Sequence, residues 1–229
     1  MANVESDDRQ RLERWLSLIR GPALIGRAEV VFKRRDEAIA EMRAAGADRL
    51  FPLLRPMLSD PDPAVRLVAS EAVFFVDARR AHELTLPLLD DPESEIRWNT
   101  CNYLGSVGDE REIEPLIRLL QKDVSPQVRG SAAHALGCIS RRSENATAIP
   151  ALLAAMESDH EVDMHGHSAS SCAATALDDI LGTNETRIRL PSGMCTMRSG
   201  KPNLNLLKRL AIERFHKWSS SRKEQDNNS

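Results

Sequence analysis

Hydrophobic and polar positions repeat in a fixed order through the middle of the chain. Three blocks, 51–76, 84–107 and 113–139, each hold an apolar run, a polar turn with Asp and Pro or Ser and Pro, and a second apolar run. The second run opens with a β-branched residue followed by Arg in every block. Apolar residues at helical spacing on both sides of a turn predict a helix–turn–helix unit.

The three blocks share one register along the chain. Positions 57, 88 and 119 each begin an apolar dipeptide and are spaced by 31 and 31 residues. Arg66, Arg97 and Arg129 are spaced by 31 and 32 residues. A single helical hairpin cannot bury its apolar stripe, whereas stacked copies cover one another. The pattern therefore predicts an all-α fold, an α-solenoid of helical-hairpin repeats.

The pattern continues in altered form outside the three blocks. A fourth hairpin is predicted over 147–181, with a longer polar turn, and helices over 9–19 and 28–45 form an N-terminal cap. A C-terminal helix with apolar residues at helical spacing caps the other end. The predicted organisation is a repeat solenoid with its N-terminal cap over 1–182, a loop over 183–202, a helix over 203–218 and a disordered tail over 219–229.

The repeats resemble the HEAT-like repeats of bacterial proteins, of the type first described in phycobilin lyases. The resemblance covers roughly Asp48 to Leu181 and rests on the turn Asp, the β-branched residue with Arg, and the small residues of the second helices. It specifies the fold better than the function. In that family the turn Asp and the second-helix Arg commonly form a structural ladder between repeats. The residues at those positions are Asp60, Arg66, Asp91, Arg97, Asp123 and Arg129.

A second interpretation of the three arginines is a groove that binds phosphates, as on the basic face of HEAT-like DNA glycosylases. Charge argues against it, since 57–125 holds 14 acidic and 7 basic residues and the whole chain has a net charge of −3. The acidic stretch is either a solvated face or a surface for a basic partner. We expect a protein partner with a basic surface and no nucleic acid.

The N-terminus shows no secretory signal and the chain has no long apolar stretch, so the sequence predicts no membrane contact and a cytoplasmic location. The four cysteines, Cys101, Cys138, Cys172 and Cys195, are far apart in sequence and form no CxxC pair. Three of them fall in apolar helical stretches, where a thiol behaves as a small hydrophobic group. This usage is typical of a reducing compartment.

The long turn of the fourth repeat is a candidate metal site. Asp159, His160, Glu161, Asp163, His165 and His167 lie within nine residues. Imidazole and carboxylate groups are transition-metal ligands, but this spacing matches no specific zinc template. We therefore expect an exposed loop, with no metal and no cofactor.

Outward positions of the second helices are the candidate binding residues. Helical spacing places Glu71, Trp98, Asn102 and His134 away from the core, on the helices that generally line the concave face of HEAT-like solenoids. Trp98 stands where the other repeats have Leu67 and Gly130, and it either anchors a partner or packs under the next repeat.

Two classes of function follow. No nucleophile elbow, phosphate loop, dinucleotide turn or zinc-protease helix is present, which favours a non-enzymatic protein-binding module. A small acidic HEAT-like chain also resembles bacterial immunity proteins, which neutralise a toxin by binding it. The alternative is an enzyme or enzyme subunit of the phycobilin-lyase-like or HEAT-like DNA glycosylase kind. Oligomeric state does not follow from the sequence.

Overall fold

A computed structural model describes residues 2–20, 28–163, 167–183, 187–189, 195–197 and 203–227. This part of the chain is almost entirely helical, so the predicted all-α class is confirmed. Its α-helices are α1 Ala2–Arg20, α2 Ala28–Ala45, α3 Ala47–Met57, α4 Pro63–Val76, α5 Ala78–Thr85, α6 Ser94–Val107, α7 Ile113–Lys122, α8 Pro126–Ser143, α9 Ile149–Ser158, α10 Ala169–Leu181 and α11 Leu204–Asn227. Short 3₁₀ helices cover Leu86–Asp90 and Glu110–Glu112, and two strands cover Arg187–Arg189 (β1) and Cys195–Met197 (β2).

The chain forms two compact units, 1–96 and 97–229. In the first unit, α3 and α4 make the first repeat hairpin, and the predicted N-terminal helices α1 and α2 pack against α4. In the second unit, α7 pairs with α8 and α9 pairs with α10 as successive hairpins. The second helices α8 and α10 pack along each other, and α11 lies against α9 and α10.

The residues at the turns explain where the helices begin and end. Asp62 caps α4 by accepting a hydrogen bond from the backbone N–H of Ala64 at 2.9 Å, and Pro63 occupies the first helical position. Ser168 caps α10 in a capping box with Ser171. Gly182 ends α10 with a φ of 67°, in the left-handed region that glycine adopts without strain.

Pro87 explains why the second hairpin begins differently from the others. A proline has no N–H to donate and clashes with a preceding helical turn. The predicted first helix of this repeat accordingly ends at Thr85 and continues as the 3₁₀ helix Leu86–Asp90. Leu88 and Leu89 are still buried there, so the apolar stripe of the repeat reaches the core without a regular α-helix.

Small residues bring the second helices of the second unit very close together. A Cβ placed on Gly105 of α6 would lie 3.1 Å from Cα of Ala135 on α8. A Cβ placed on Gly137 of α8 would lie 2.8 Å from Cα of Ala176 on α10. A Cβ at Gly137 would force the neighbouring backbone to shift and one at Gly105 would be tight, because packed interiors tolerate few overlaps. The Gly–Ala contacts therefore set the spacing between α6, α8 and α10.

Two segments near the C-terminus contain secondary structure that the sequence analysis does not predict. The segment 183–202, predicted as a loop, contains the antiparallel pair β1–β2, in which Arg187 lies opposite Met197. Ile188 and Thr196 are β-branched and lie opposite each other, which suits a short strand pair. The segment 219–229, predicted as a disordered tail, is helical as far as Asn227.

The helical extension has a local cause that hydrophobic periodicity does not detect. The guanidinium of Arg222 lies over the ring of Trp218, 5.3 Å from its centroid, one helical turn away. Arg222 also forms an ion pair with Glu110 at 3.6 Å. In the described part of the chain, no helix combines the length and the hydropathy that a membrane crossing requires.

We predict that Gly137→Ala destabilises the protein by about 1–3 kcal/mol. The added methyl overlaps Ala176, and overpacking of this kind outweighs the gain in helix propensity of up to about 1 kcal/mol. Ser131→Ala, on the same helix at a half-buried position, is the matched control and should change stability little. Urea unfolding followed by circular dichroism measures both; a Gly137→Ala midpoint equal to or above wild type contradicts the close approach.

Candidate functional site

The arginine of one repeat reaches the turn of the next repeat. Within the first unit, Arg66 donates from Nε to Oδ2 of Asp91 at 2.7 Å and from Nη2 to Oδ1 at 2.8 Å. Its third nitrogen donates to the backbone carbonyl of Asp60 at 2.8 Å. The guanidinium thus joins the turn of its own repeat to the carboxylate of the following one, in the bidentate geometry that gives the strongest ion pairs.

The same link occurs twice in the second unit. Arg97 donates to both carboxylate oxygens of Asp123 at 2.7 and 2.8 Å. Arg129 donates to both oxygens of Asp159 at 2.5 and 3.0 Å, to Glu161 at 2.8 Å, and to the carbonyl of Asp123 at 2.9 Å. The arginine side chains are each 11% exposed, so water screens these pairs poorly.

Three of the turn aspartates also hold their own turns. Asp91 accepts a hydrogen bond from the backbone N–H of Glu93, and Asp123 accepts one from Ser125, both at 2.9 Å. Asp60 holds its turn in the same way, through the N–H of Asp62. Asp91 and Asp123 are therefore each bound at one oxygen by the chain around them, while the Arg of the preceding repeat binds both oxygens.

The sequence interpretation did not include Asp159 in the ladder. It follows Asp123 by 36 residues instead of the 31 or 32 that separate the earlier turn aspartates, because α8 has 18 residues whereas α6 has 14. It was assigned to the candidate metal loop instead. The sequence feature that could have identified Asp159 as a ladder residue is its position directly after the first helix of the repeat.

These contacts distinguish between the two interpretations of the arginines, as a structural ladder and as a groove that binds phosphates. The guanidinium of Arg129 uses all three nitrogens on protein oxygens. The hydrogen bonds to Asp159 raise the pKa of Arg129 above its ordinary value, which burial opposes, so the group stays charged in the fold. The bond to Asp91 likewise raises the pKa of Arg66. A phosphate would have to displace a bidentate carboxylate to reach either one.

The candidate metal loop is organised by hydrogen bonds to its carboxylates. Asp159 and Glu161 both bind Arg129. The Asp163 carboxylate accepts the backbone N–H of His167 at 2.9 Å, and the Asp163 backbone N–H donates to the His167 carbonyl at 2.8 Å. His160 is exposed. His165 lies outside the described residues. A metal ion in this loop would compete with Arg129 for two of the predicted ligands, so the absence of metal stays a prediction.

The predicted binding residues fall on different helices. Trp98 and Asn102 lie on α6 and are half-buried, and His134 lies on α8 and is exposed. We call these three residues the second-helix surface. Glu71 is half-buried on α4 in the first unit. The imidazole Nε2 of His134 lies 3.7 Å from Sγ of Cys138, one turn further along α8.

The cysteine thiols differ in their surroundings. Cys101 is completely buried, and burial, reinforced by the negative charge of Asp123, raises the pKa of its thiol to about 12. The thiol is therefore neutral near pH 7, which makes it a poor nucleophile. Cys138 and Cys172 are half-buried.

A second arginine contact was not predicted from the sequence. Arg142, in the last turn of α8, donates to the backbone carbonyls of Gly105 at 2.6 Å and Gly108 at 2.7 Å. These carbonyls belong to the C-terminal end of α6, where helical hydrogen bonds run out and a cation is favourable. The position is not periodic, because the residue 32 earlier is Glu110, so the repeat pattern gave no signal for it.

The stacked helical hairpins define a helical-repeat protein, and sequence comparison names the family. A family model described as HEAT repeats matches residues 51–137 and 82–171, which together span more than half of the chain. The chain belongs to the HEAT repeat family, which confirms that part of the resemblance. The match does not single out the phycobilin-lyase type. No curated protein matches the sequence.

Two solved structures are similar at low identity. One is an engineered protein, a structural genomics target, at 18% identity and a TM-score of 0.49, covering 90% of this chain and 96% of that chain. The other is a designed armadillo repeat protein in complex with the peptide (KR)4, at 14% identity and a TM-score of 0.44, covering 88% of this chain and 98% of that chain.

We predict that Arg97→Ala lowers the free energy of unfolding by about 1–3 kcal/mol, because Asp123 loses its bidentate partner in a poorly hydrated position. Arg118→Ala, at an exposed position on α7, is the control and should stay within about 0.5 kcal/mol. Chemical denaturation measures both variants. Equal stability of Arg97→Ala and wild type would contradict a structural role for this arginine.

We predict that Cys101 reacts slowly with thiol reagents in the native protein. In a variant with Cys138, Cys172 and Cys195 changed to Ser, a disulfide reagent at pH 8 should label less than a tenth of the chains in minutes, since the thiol is buried and neutral well below its pKa of about 12. Complete labelling in guanidinium chloride is the control. Rapid stoichiometric labelling of the folded protein would show that the site is open.

Proposed function

We propose that the protein is a non-enzymatic scaffold that binds another protein through the second-helix surface. Membership of the HEAT repeat family supports a scaffold, because stacked hairpins present parallel helices rather than an enclosed reaction site. The observation that carries the proposal is the close packing of α6, α8 and α10 through Gly105–Ala135 and Gly137–Ala176. Helices packed this closely would hold the outward residues of neighbouring second helices side by side.

Trp98 is the proposed anchor of this surface. It is half-buried, so one part of the indole is held by the protein while another remains accessible. Large amphipathic side chains in such positions contribute much of the binding energy at protein interfaces. Asn102 lies one turn further along α6, and His134 adds a polar group from α8. A mixed aromatic and polar patch of this kind suits a protein surface better than a small substrate.

Charge supports a partner with a basic surface. Residues 97–183 hold 12 acidic and 7 basic side chains, and the arginine–aspartate links cancel charges one for one, so an acidic excess remains. Opposite charge accelerates encounter and excludes wrong partners more than it adds affinity. By analogy with acidic HEAT-like immunity proteins of bacteria, we propose a toxin as the first partner to test, neutralised by binding.

The alternative class, an enzyme of the phycobilin-lyase-like or DNA glycosylase kind, requires a pigment pocket or a basic face. Arg66, Arg97 and Arg129 were the residues proposed for that basic face. Each holds an aspartate in a bidentate bond, so its charge is already compensated inside the repeat stack. This observation favours a protein partner over nucleic acid.

We predict that Trp98→Ala weakens partner binding by about 2 kcal/mol or more, the range for an interface anchor. The partner is first captured from the source organism with the wild-type protein and identified by mass spectrometry, and its affinity is then measured by calorimetry with purified components. Arg118→Ala, a change at an exposed position on the first helix α7, outside the second-helix surface, is the control. Thermal melts establish that Trp98→Ala still folds.

Two outcomes discriminate between surfaces. Binding reduced in Trp98→Ala and in His134→Ala, but not in Arg118→Ala, supports the second-helix surface. Binding that survives both changes and is lost when residues 204–229 are deleted places the interface on α11, which carries most of the basic residues near the C-terminus. Catalytic turnover of the captured partner would contradict the non-enzymatic part of the proposal.

A further inference from the structure

A pocket of about 350 Å³ opens between α1 and α2 in the first unit. Most of its accessible lining is polar and comes from exposed side chains, whereas the half-buried Leu18 and the edge of the buried Trp15 supply its smaller apolar part. The lining residues are Arg14, Trp15 and Leu18 from α1 and Glu37, Ala38 and Glu41 from α2. No part of the HEAT-repeat pattern reaches this pocket, since the family match begins at residue 51.

The walls of the pocket are held in place by bonds between helices. The indole Nε1 of Trp15 donates to Oε2 of Glu41 at 2.7 Å, which ties α1 to α2. Asp8, earlier on α1, forms an ion pair with Arg49 of α3. A concavity held in place in this way, with a few convergent polar groups beside an apolar side chain, can serve as a binding site.

The charges of the pocket favour a cation. Glu37 and Glu41 are four residues apart, so they lie on the same face of α2. Arg14 lines the pocket from α1, so the six lining residues together carry two carboxylates and one guanidinium. Glu41 accepts the indole N–H at one oxygen and retains acceptor capacity at the other.

The shape of the pocket selects among cations. A small hydrated cation gains nothing from the apolar part of the lining, which is chiefly Leu18. An arginine side chain has an aliphatic stem for that part and a planar fork of N–H donors for two carboxylates. Lysine has the stem but only a compact charge, which cannot bridge Glu37 and Glu41 in the same bidentate manner.

We propose that this pocket binds the guanidinium side chain of an arginine, with its stem against Trp15 and Leu18 and its head between Glu37 and Glu41. The arginine comes from the basic protein partner; this last step rests on the proposed function, whereas binding of the guanidinium side chain does not. The first unit thereby contributes a second, charge-specific contact that is separate from the second-helix surface.

The test uses the full chain and N-acetyl-L-arginine amide, a probe without a carboxylate. The indole N–H signal of Trp15, assigned with Trp15→Phe, is followed by ¹⁵N–¹H correlation spectra during titration. We expect a saturable shift, and binding about 5-fold weaker in Glu37→Gln, since a compensating charge beside a partly buried cation is lost. N-acetyl-L-norleucine amide, which has a stem without the charge, should shift the signal less at equal concentration.

Asp36→Asn is the matched control. Asp36 is exposed, adjoins Glu37 on α2 and does not line the pocket, so this change removes the same charge without touching the site. It should alter the affinity less than about 2-fold. Arg14→Gln should leave binding equal or tighter, because it removes a like charge from the rim.

An equal response to the arginine and norleucine probes, or equal weakening by Glu37→Gln and Asp36→Asn, would overturn the pocket proposal. The two proposals fail separately. Partner binding lost in Trp98→Ala but unchanged in Glu37→Gln leaves the proposed function in place and removes the pocket from the interface. Partner binding weakened in Glu37→Gln but not in Asp36→Asn supports the pocket.

Discussion

Each helical hairpin of this chain exposes an apolar stripe that only a neighbouring hairpin can cover, and the rest of the structure follows from that constraint. The stripe must be covered at close range, which the alanines and glycines of the second helices permit. It must also be covered in register, since a shift by one position would turn a different helix face toward the neighbour. The guanidinium–carboxylate link between adjacent repeats supplies a directional bond for that register.

The ladder determines which residues remain for binding. A buried ion pair contributes little net stability compared with an apolar pair, yet removing one partner leaves a charge without compensation. Arg66, Arg97 and Arg129 are therefore poor candidates for contact with an external phosphate. The side chains that face outward on α6 and α8 remain, together with the pocket between α1 and α2, which lies outside the matched repeats.

The fold could be predicted from the sequence because its two signals, helical spacing and a repeat register, are both local and redundant. The positions of Arg97 and Asp91 could be predicted as well, because both residue types recur in that repeat register. Asp159 and Arg142 were not, because the four extra residues of α8 move Asp159 out of the repeat register and Arg142 occupies a position found in one repeat only. The helix beyond Trp218 depends on a cation–π contact and an ion pair with Glu110, which hydrophobic periodicity does not report. The pocket at Trp15 arises from two helices brought together in space, and no spacing rule encodes it.

The central claim is that these arginines connect repeats rather than contact a ligand, and a double-mutant cycle on Arg97 and Asp123 tests it most directly. Arg97→Met, Asp123→Asn and the double variant keep side-chain volume while removing the charges. If the pair links the repeats, the free energies of unfolding should be non-additive, with a coupling energy of about 1 kcal/mol or more. Additivity within about 0.3–0.5 kcal/mol would contradict the account and favour the interpretation of Arg97 as a phosphate-binding residue.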